Sequence, residues 1–226
     1  EAAAVGCNWD FGPVCDLLYN WRNTIVNTRA YGKDPELVIK NAKAYVRGVR
    51  ESGLAVCCKH FPGDGIEELD QHLVMGVNTM ECDEWDSTFG HVYKEMIDSG
   101  IQSIMAGHIA LPEYSRKLRP GRKDEDIMPA TLAPELITDL GFNGLVLTDA
   151  SHMAGMTAAM PRSQQVPGAI AAGCDMFLFF NDIEEDFGYM MDGYRNGIIT
   201  EERLTDALRR ILGLKASLKL HEKKKK

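Results

Sequence analysis

The strongest constraint on this chain is its alternation: short apolar runs of strand length take turns with longer segments whose apolar residues recur at helical spacing. Residues 5–11 read as a strand that ends at Gly12-Pro13. Asp34-Pro35 then supplies an N-cap and a proline at the first helical position. Leu37, Val38, Ala42, Tyr45, Val46 and Val49 fall on one face of a helix that reaches about Glu51, and Gly53 closes it. Further strands are predicted at 54–60, within 101–109, at 144–149 and at 174–180. Helices are predicted between and after them at 83–99, from a Thr131 cap to about Leu140, at 164–172, at 183–195 and onward from a Thr200 cap. The last carries Leu204, Ala207, Leu208, Ile211, Leu212 and Leu214. Residues 110–129, rich in charge and proline, read as a loop. A βαβαβαβαβα order demands parallel strands joined by right-handed crossovers. It gives five strands, whereas a closed (β/α)8 barrel has eight. The expectation is therefore an open α/β sheet, or a barrel whose first βα units are not in this chain.

In parallel α/β folds chemistry gathers at the C-terminal ends of the strands. The run at 54–58 ends in Lys59 and His60, followed by a Pro62-Gly63-Asp64-Gly65 turn and then Asp70-Gln71-His72. Ile104-Met105-Ala106-Gly107 ends in His108, and Leu145-Val146-Leu147-Thr148 ends in Asp149. With Asp10 from the first strand, four strands are expected to deliver Asp10, Lys59, His60, His108 and Asp149 to one rim, with Arg29 in a loop between the first strand and its helix. An acid directly after a strand buried on both faces can serve as a nucleophile toward an anomeric carbon. It can equally cap the segment 149–156. An acid two residues from a histidine can hold one ring nitrogen and make the other a proton carrier. Asp70 and His72 have that spacing, although Glu67, Glu68 and Asp70 also read as a solvated charged loop.

Composition narrows the function classes. Apolar residues make up 45% of the chain, ordinary for a globular protein, and 25 basic against 33 acidic residues give a net charge of −8. The basic run Lys223-Lys224-Lys225-Lys226 is confined to the end and reads as a solvated tail, so the body is acidic and no basic stripe suggests nucleic acid. No apolar run approaches the roughly 18 residues of a membrane helix. The chain opens on Glu1-Ala2-Ala3-Ala4 with no basic segment of a signal peptide. Six scattered cysteines match neither a zinc spacing nor a disulfide framework and read as reduced thiols of a cytoplasmic protein. Trp9, Trp21 and Trp85 read as core or rim packing, and the methionines as gap-fillers. Gly63-Asp64-Gly65 lacks the pattern of a phosphate loop.

Five segments, in order and spanning essentially the whole chain, resemble glycoside hydrolase family 3. Lys59-His60-Phe61-Pro62-Gly63 resembles its KHFPG signature, and Asn8-Trp9-Asp10-Phe11-Gly12-Pro13-Val14 its first matching strand. Arg29-Ala30-Tyr31-Gly32-Lys33-Asp34-Pro35-Glu36 resembles its R-[SA]-[FY]-G-x-D-P segment. Gly141-Phe142-Asn143-Gly144-Leu145-Val146-Leu147-Thr148-Asp149 resembles its nucleophile strand, and Ala172-Gly173-Cys174-Asp175-Met176 the approach to its last strand. Asp70-Gln71-His72 stands where the β-N-acetylglucosaminidase branch has an Asp-Ser-His triplet on a mobile loop. The resemblance implies a partial (β/α)8 catalytic barrel over 1–220 with a basic tail at 221–226. It implies Asp149 as nucleophile, His72 paired with Asp70 as acid/base, and Arg29, Lys59 and His60 as sugar ligands; His108 and Asp10 are expected beside them. The substrate expected is a β-linked N-acetylglucosamine-type sugar, with no metal and no organic cofactor. The chain departs from the branch at Asp64-Gly65, at Gln71 and at Leu73-Val74-Met75. A β-glucosidase-like or phosphorolytic relative and a non-catalytic sugar-binding barrel fragment stay open. So does a metal-dependent hydrolase built on His60, His72 and His108.

Overall fold

The computed structural model describes residues 1–222 apart from 122, 124–126, 133 and 134. Among the described residues seven strands form: β1 (Trp9–Asp10), β2 (Ala55–Phe61), β3 (Gly76–Val77), β4 (Ser103–Ala106), β5 (Ile109–Ala110), β6 (Leu145–Ala150) and β7 (Met176–Leu178). Five of them make one parallel sheet in the order β1-β2-β4-β6-β7, curled as part of a barrel. The α/β expectation and its five strands hold. The short β3 and β5 pair parallel to each other just past the rim, and the sequence reading missed them because two-residue strands leave no periodicity.

Successive side chains of a strand point to opposite faces, and the core divides accordingly. Val56, Cys58, Ile104 and Val146 face outward and pack with Val38, Ile39, Ala42 and Val46 of α1 (Pro35–Glu51) and with buried residues of α3 (His91–Asp98). Cys57, Met105, Leu145 and Leu147 face inward, against Trp9, Phe11, Met176 and Leu178. Ile211 and Leu214 of the last helix also reach this inner cluster.

The helices follow their local signals. Asp34 caps α1 by accepting from Leu37 N–H at 3.0 Å, and it is Ile39 rather than the exposed Leu37 that is buried. The helix expected at 83–99 is broken into α2 (Cys82–Trp85), a wide i→i+5 turn at Asp86–Gly90, and α3. Trp85 is fully buried, Trp9 half-buried and Trp21 exposed, so packing accounts for the first two and not the third. Residues 110–129 contain a helix, α4 (Pro112–Leu118), with proline in its first turn, basic residues in its last and Tyr114 buried. At seven residues it is too short to announce itself by periodicity. Thr131 does not directly precede a helix: it lies in a single helical turn (Ala130–Leu132) ahead of the short α5 (Glu135–Asp139), and its hydroxyl bonds to Ala106 O and Gly107 O at 3.0 Å. The strand expected at 5–11 is reduced to Trp9–Asp10, with Val5 closing a helical turn at Ala2–Val5. α6 (Ala154–Thr157), α7 (Arg162–Ala172), α8 (Ile183–Arg195) and α9 (Glu201–Ser217) complete the chain. Asp182 and Thr200 cap the last two. Most of the basic tail, 223–226, lies outside the described residues.

Asp175 fastens α9 to the sheet. Its fully buried carboxylate accepts from Val146 N–H at 2.9 Å and pairs with Arg210 at 3.2 Å and with Arg203. Removing one partner of such a group strands the others. Asp175→Ala should therefore lower the unfolding free energy by about 3 kcal/mol or more, read by urea denaturation.

Candidate active site

The site grows from the C-terminal ends of β2, β4 and β6. The register sets Phe61 beside Ala106 and Ala106 beside Thr148, so His60, His108 and Asp149 emerge at about one level. Asp10 does not join them. It pairs with Val56, near the start of β2, and its carboxylate accepts from Tyr45 O–H on α1 at 2.5 Å. The acid this segment does bring to the rim is Asp16. After Gly12-Pro13 the chain runs on beside β2, with Pro13 O accepting from Lys59 N–H at 3.2 Å and Lys59 O accepting from Cys15 N–H at 2.6 Å.

Asp16 is wholly buried and surrounded by donors. His60 Nδ1–H donates to Oδ2 at 2.7 Å, while His60 N–H and Asp64 N–H donate to Oδ1 at 3.2 and 2.8 Å. Burial of the His60 ring opposes its protonation, but the Asp16 carboxylate outweighs this and the imidazole titrates above its ordinary value. Asp64 accepts from Asn23 Nδ2 at 2.7 Å, from Gly65 N–H at 2.6 Å and from Gln71 Nε2 at 3.2 Å. Burial and the neighbouring Asp16 charge push its carboxyl upward. The turn admits only glycine at two places: φ is 118° at Gly63 and 108° at Gly65, and a Cβ would stand 2.1 Å from the Phe89 ring and from Leu17 O respectively.

His108 is buried with both ring nitrogens engaged. Nε2 lies 2.8 Å from Ala150 O, which can only accept, so this nitrogen carries the proton. Nδ1 faces the Thr131 hydroxyl at 2.9 Å, which explains why Thr131 is held at the rim rather than at a helix end. Burial lowers the His108 pKa. Asp149 is half-buried, and one carboxylate oxygen accepts from Ala150 N–H at 2.7 Å. Among the described residues the other oxygen has no partner. Asp149 does not cap a helix, since α6 starts at Ala154 behind Met153.

Asp70 and His72 form the expected pair on the loop after the turn, Nδ1 to Oδ1 at 2.7 Å, with His72 N–H also donating to Oδ1 at 2.8 Å. That loop touches the segment beyond Asp149: His72 O accepts from Ala154 N–H at 3.0 Å and Gln71 O from Gly155 N–H at 3.1 Å. His108 lies in the electrostatic reach of Asp149, His60 and His72 together. Arg29 is exposed, its Nε–H donating to Ile25 O at 2.8 Å. Lys59 is half-buried on β2, within reach of His60. Among the described residues no three His, Cys, Asp or Glu side chains converge as metal ligands. Sequence reasoning missed Asp16, Asn23, Asp64 and Thr131. An acid inside the apolar run Val14–Cys15–Asp16–Leu17–Leu18 was the one available signal, because a lone buried charge needs a partner.

A parallel barrel-type sheet with an acid, histidines and a lysine at its strand tips defines an α/β protein whose candidate site lies at the C-terminal ends of its strands. The comparisons specify it. The glycosyl hydrolase family 3 N-terminal domain matches residues 1–214, and the chain belongs to that family. It is 54% identical over 226 residues to a Cellulomonas fimi protein named beta-N-acetylglucosaminidase/beta-glucosidase, covering 98% of this chain and 40% of that protein. A solved structure of the beta-glucoside phosphorylase BglX superposes with a TM-score of 0.97 at 44% identity, covering 99% of this chain and 41% of that one. A family 3 beta-N-acetylglucosaminidase from Paenibacillus sp. str. FPU-7 superposes with a TM-score of 0.88 at 27% identity, covering 98% of this chain and 42% of that one. The chain thus spans about two-fifths of the length of these relatives.

The two buried histidines should separate in an NMR pH titration, His60 above and His108 below the ordinary 6.5. The His60–Asp16 pair contributes stability that is full below pH 6.5 and is lost as pH rises through the higher folded value. His108, buried and neutral, contributes above pH 6.5 and loses that contribution as pH falls through its lower value. Asp16→Asn should bring the His60 titration down, because burial and the Lys59 charge are then opposed only by the smaller pull of Asp149. A His60 titration unmoved by the substitution would contradict the pairing.

Proposed function

We propose that this chain carries the nucleophile and the acid/base of a retaining glycosidase acting on terminal β-linked N-acetylglucosamine-type sugars. The observation that carries the reading is the juxtaposition at one rim. Among the described residues Asp149 has one oxygen without a partner at the end of β6, and the loop bearing the Asp70–His72 pair is hydrogen-bonded to the segment just past it. Asp149 attacks the anomeric carbon as His72 delivers its proton to the leaving oxygen and the glycosidic bond breaks. Water then attacks the glycosyl ester, giving its proton to His72, and Asp149 is released. Asp70 fixes the ring so that Nδ1 is the bound nitrogen and Nε2 the proton carrier. The family resemblance assigns Lys59, His60 and Arg29 to the sugar hydroxyls. His108, with both nitrogens engaged, is better read as holding the backbone beside Asp149 than as a sugar ligand. None of these steps requires a metal or an organic cofactor.

Phosphorolysis is the second reading, favoured by the likeness to a structure named for that activity. Neutral His72 does not repel an anionic acceptor as a second carboxylate would, so phosphate can take the place of water in the second step.

The chain should turn over an aryl β-N-acetylglucosaminide. Asp149→Ala should abolish turnover, and His72→Ala should cost about 10²–10⁴-fold for leaving groups that need a proton. In phosphate buffer the product separates the two readings: free sugar means hydrolysis, and a sugar 1-phosphate means phosphorolysis. A folded chain that binds the sugar without turnover would leave a sugar-binding module in place of both.

A further inference from the structure

The loop that carries His72 has almost nothing apolar to hold it. Leu69, Leu73 and Val74 are all exposed. The buried residue between Asp70 and His72 is Gln71, at 1% exposure. Its amide is spent on two strand tips at once. Oε1 accepts from His108 N–H at 3.1 Å at the end of β4, and Nε2 donates to Asp64 Oδ2 at 3.2 Å in the turn after β2. The receiving side is equally specific. Gly155 N–H and Ala154 N–H donate to Gln71 O and His72 O, and a Cβ at Gly155 would stand 2.6 Å from Gln71 O and 3.0 Å from both Val74 O and the His108 Cβ.

We propose that Gln71 is a positioning residue whose amide latches the His72 loop onto the β2 and β4 tips, presenting the acid/base to Asp149 from a preformed dock. The inference rests on the reading of His72 as acid/base. Gln71 touches no reacting atom. It fixes the main chain on either side of itself, so Asp70 and His72 project together from an anchored point. Gly155 is part of the same device, because any side chain there would hold the loop off the segment that follows Asp149.

Truncating Gln71 would leave two buried groups unpaired, so the test keeps its shape. Gln71→Glu retains the acceptor for His108 N–H and replaces the donor to Asp64 with a second carboxylate. Asp64→Asn combined with Gln71→Glu restores one donor and one acceptor with the direction reversed. The first readout is hydrogen exchange of the Leu73, Val74, Ala154 and Gly155 amides in the chain, which needs no activity. The second is kcat/KM for aryl β-N-acetylglucosaminides with a phenolic or a 2,4-dinitrophenolic leaving group, the latter needing no proton. Gln71→Glu should speed exchange at these amides and lower kcat/KM for the phenyl glycoside about tenfold or more, while the dinitrophenyl glycoside changes less than about twofold; the double variant should recover both. Unchanged exchange in Gln71→Glu overturns the latch. Faster exchange with equal losses on both leaving groups makes Gln71 a structural anchor only and overturns its positioning role. If the unsubstituted chain is silent toward both substrates, the glycosidase reading fails, and the positioning of an acid/base falls with it even where exchange shows the loop anchored by Gln71.

Discussion

Everything at the rim depends on one buried charge. Asp16 is fully enclosed, and an ionised carboxylate without compensating donors is among the most costly things a protein interior can hold. Its donors are therefore structural requirements. His60 turns its ring and its N–H toward it, and Asp64 brings its N–H by way of the glycine-dependent turn at 62–65. The tip of β2 and the turn after it take their shape from this arrangement.

From Asp16 the polar contacts run across the rim without a gap. Asp64 accepts from Gln71, Gln71 accepts from His108 N–H, and the His108 ring donates to Ala150 O, the carbonyl next to Asp149. By way of the Gln71 loop the links join the end of β2 to that of β4, and His108 joins β4 to β6, in the order of the sheet. The apolar faces beneath set the height and spacing of the tips. The network above sets how the side chains on them are aimed. A partly satisfied network of this kind is worse than an apolar one, and so a single substitution within it reaches beyond its own contacts.

How much of this could be read from the sequence follows from the range of each signal. The strands, their parallel order and the caps at Asp34 and Thr200 rest on local pattern, and the structure has them. So does the Asp70–His72 pair, whose partners are two residues apart. What escaped is held by distant partners: Asp16 lies 44 residues from His60, Asn23 lies 41 from Asp64, and Gln71 lies 37 from His108. Asp10 was expected at the rim because it lies near the end of the first predicted strand. The chain instead continues past Gly12-Pro13 beside β2, and the rim position falls six residues later on Asp16. Thr131 looked like a cap because it precedes a helix, and long-range contacts to His108 and the β4 carbonyls claimed it instead.

The histidines divide the labour by their surroundings. His60, paired with a buried carboxylate, has its pKa raised and holds a proton more readily than a free imidazole, within the electrostatic reach of Asp149. His108, buried against neutral partners, has its pKa lowered, so it stands near the same carboxylate without readily taking up a charge of its own. Of these three, His72 alone is half-exposed, at 55% of its side chain, with one nitrogen held by Asp70. A group that must give a proton to a leaving oxygen and take one back from an acceptor needs access as well as aim. The two buried histidines supply fixed electrostatics, and the loop histidine is left free to exchange its proton. On the proposed glycosidase reading, stability and turnover fall to different imidazoles, and the chain can bury one set deeply without sealing off the other.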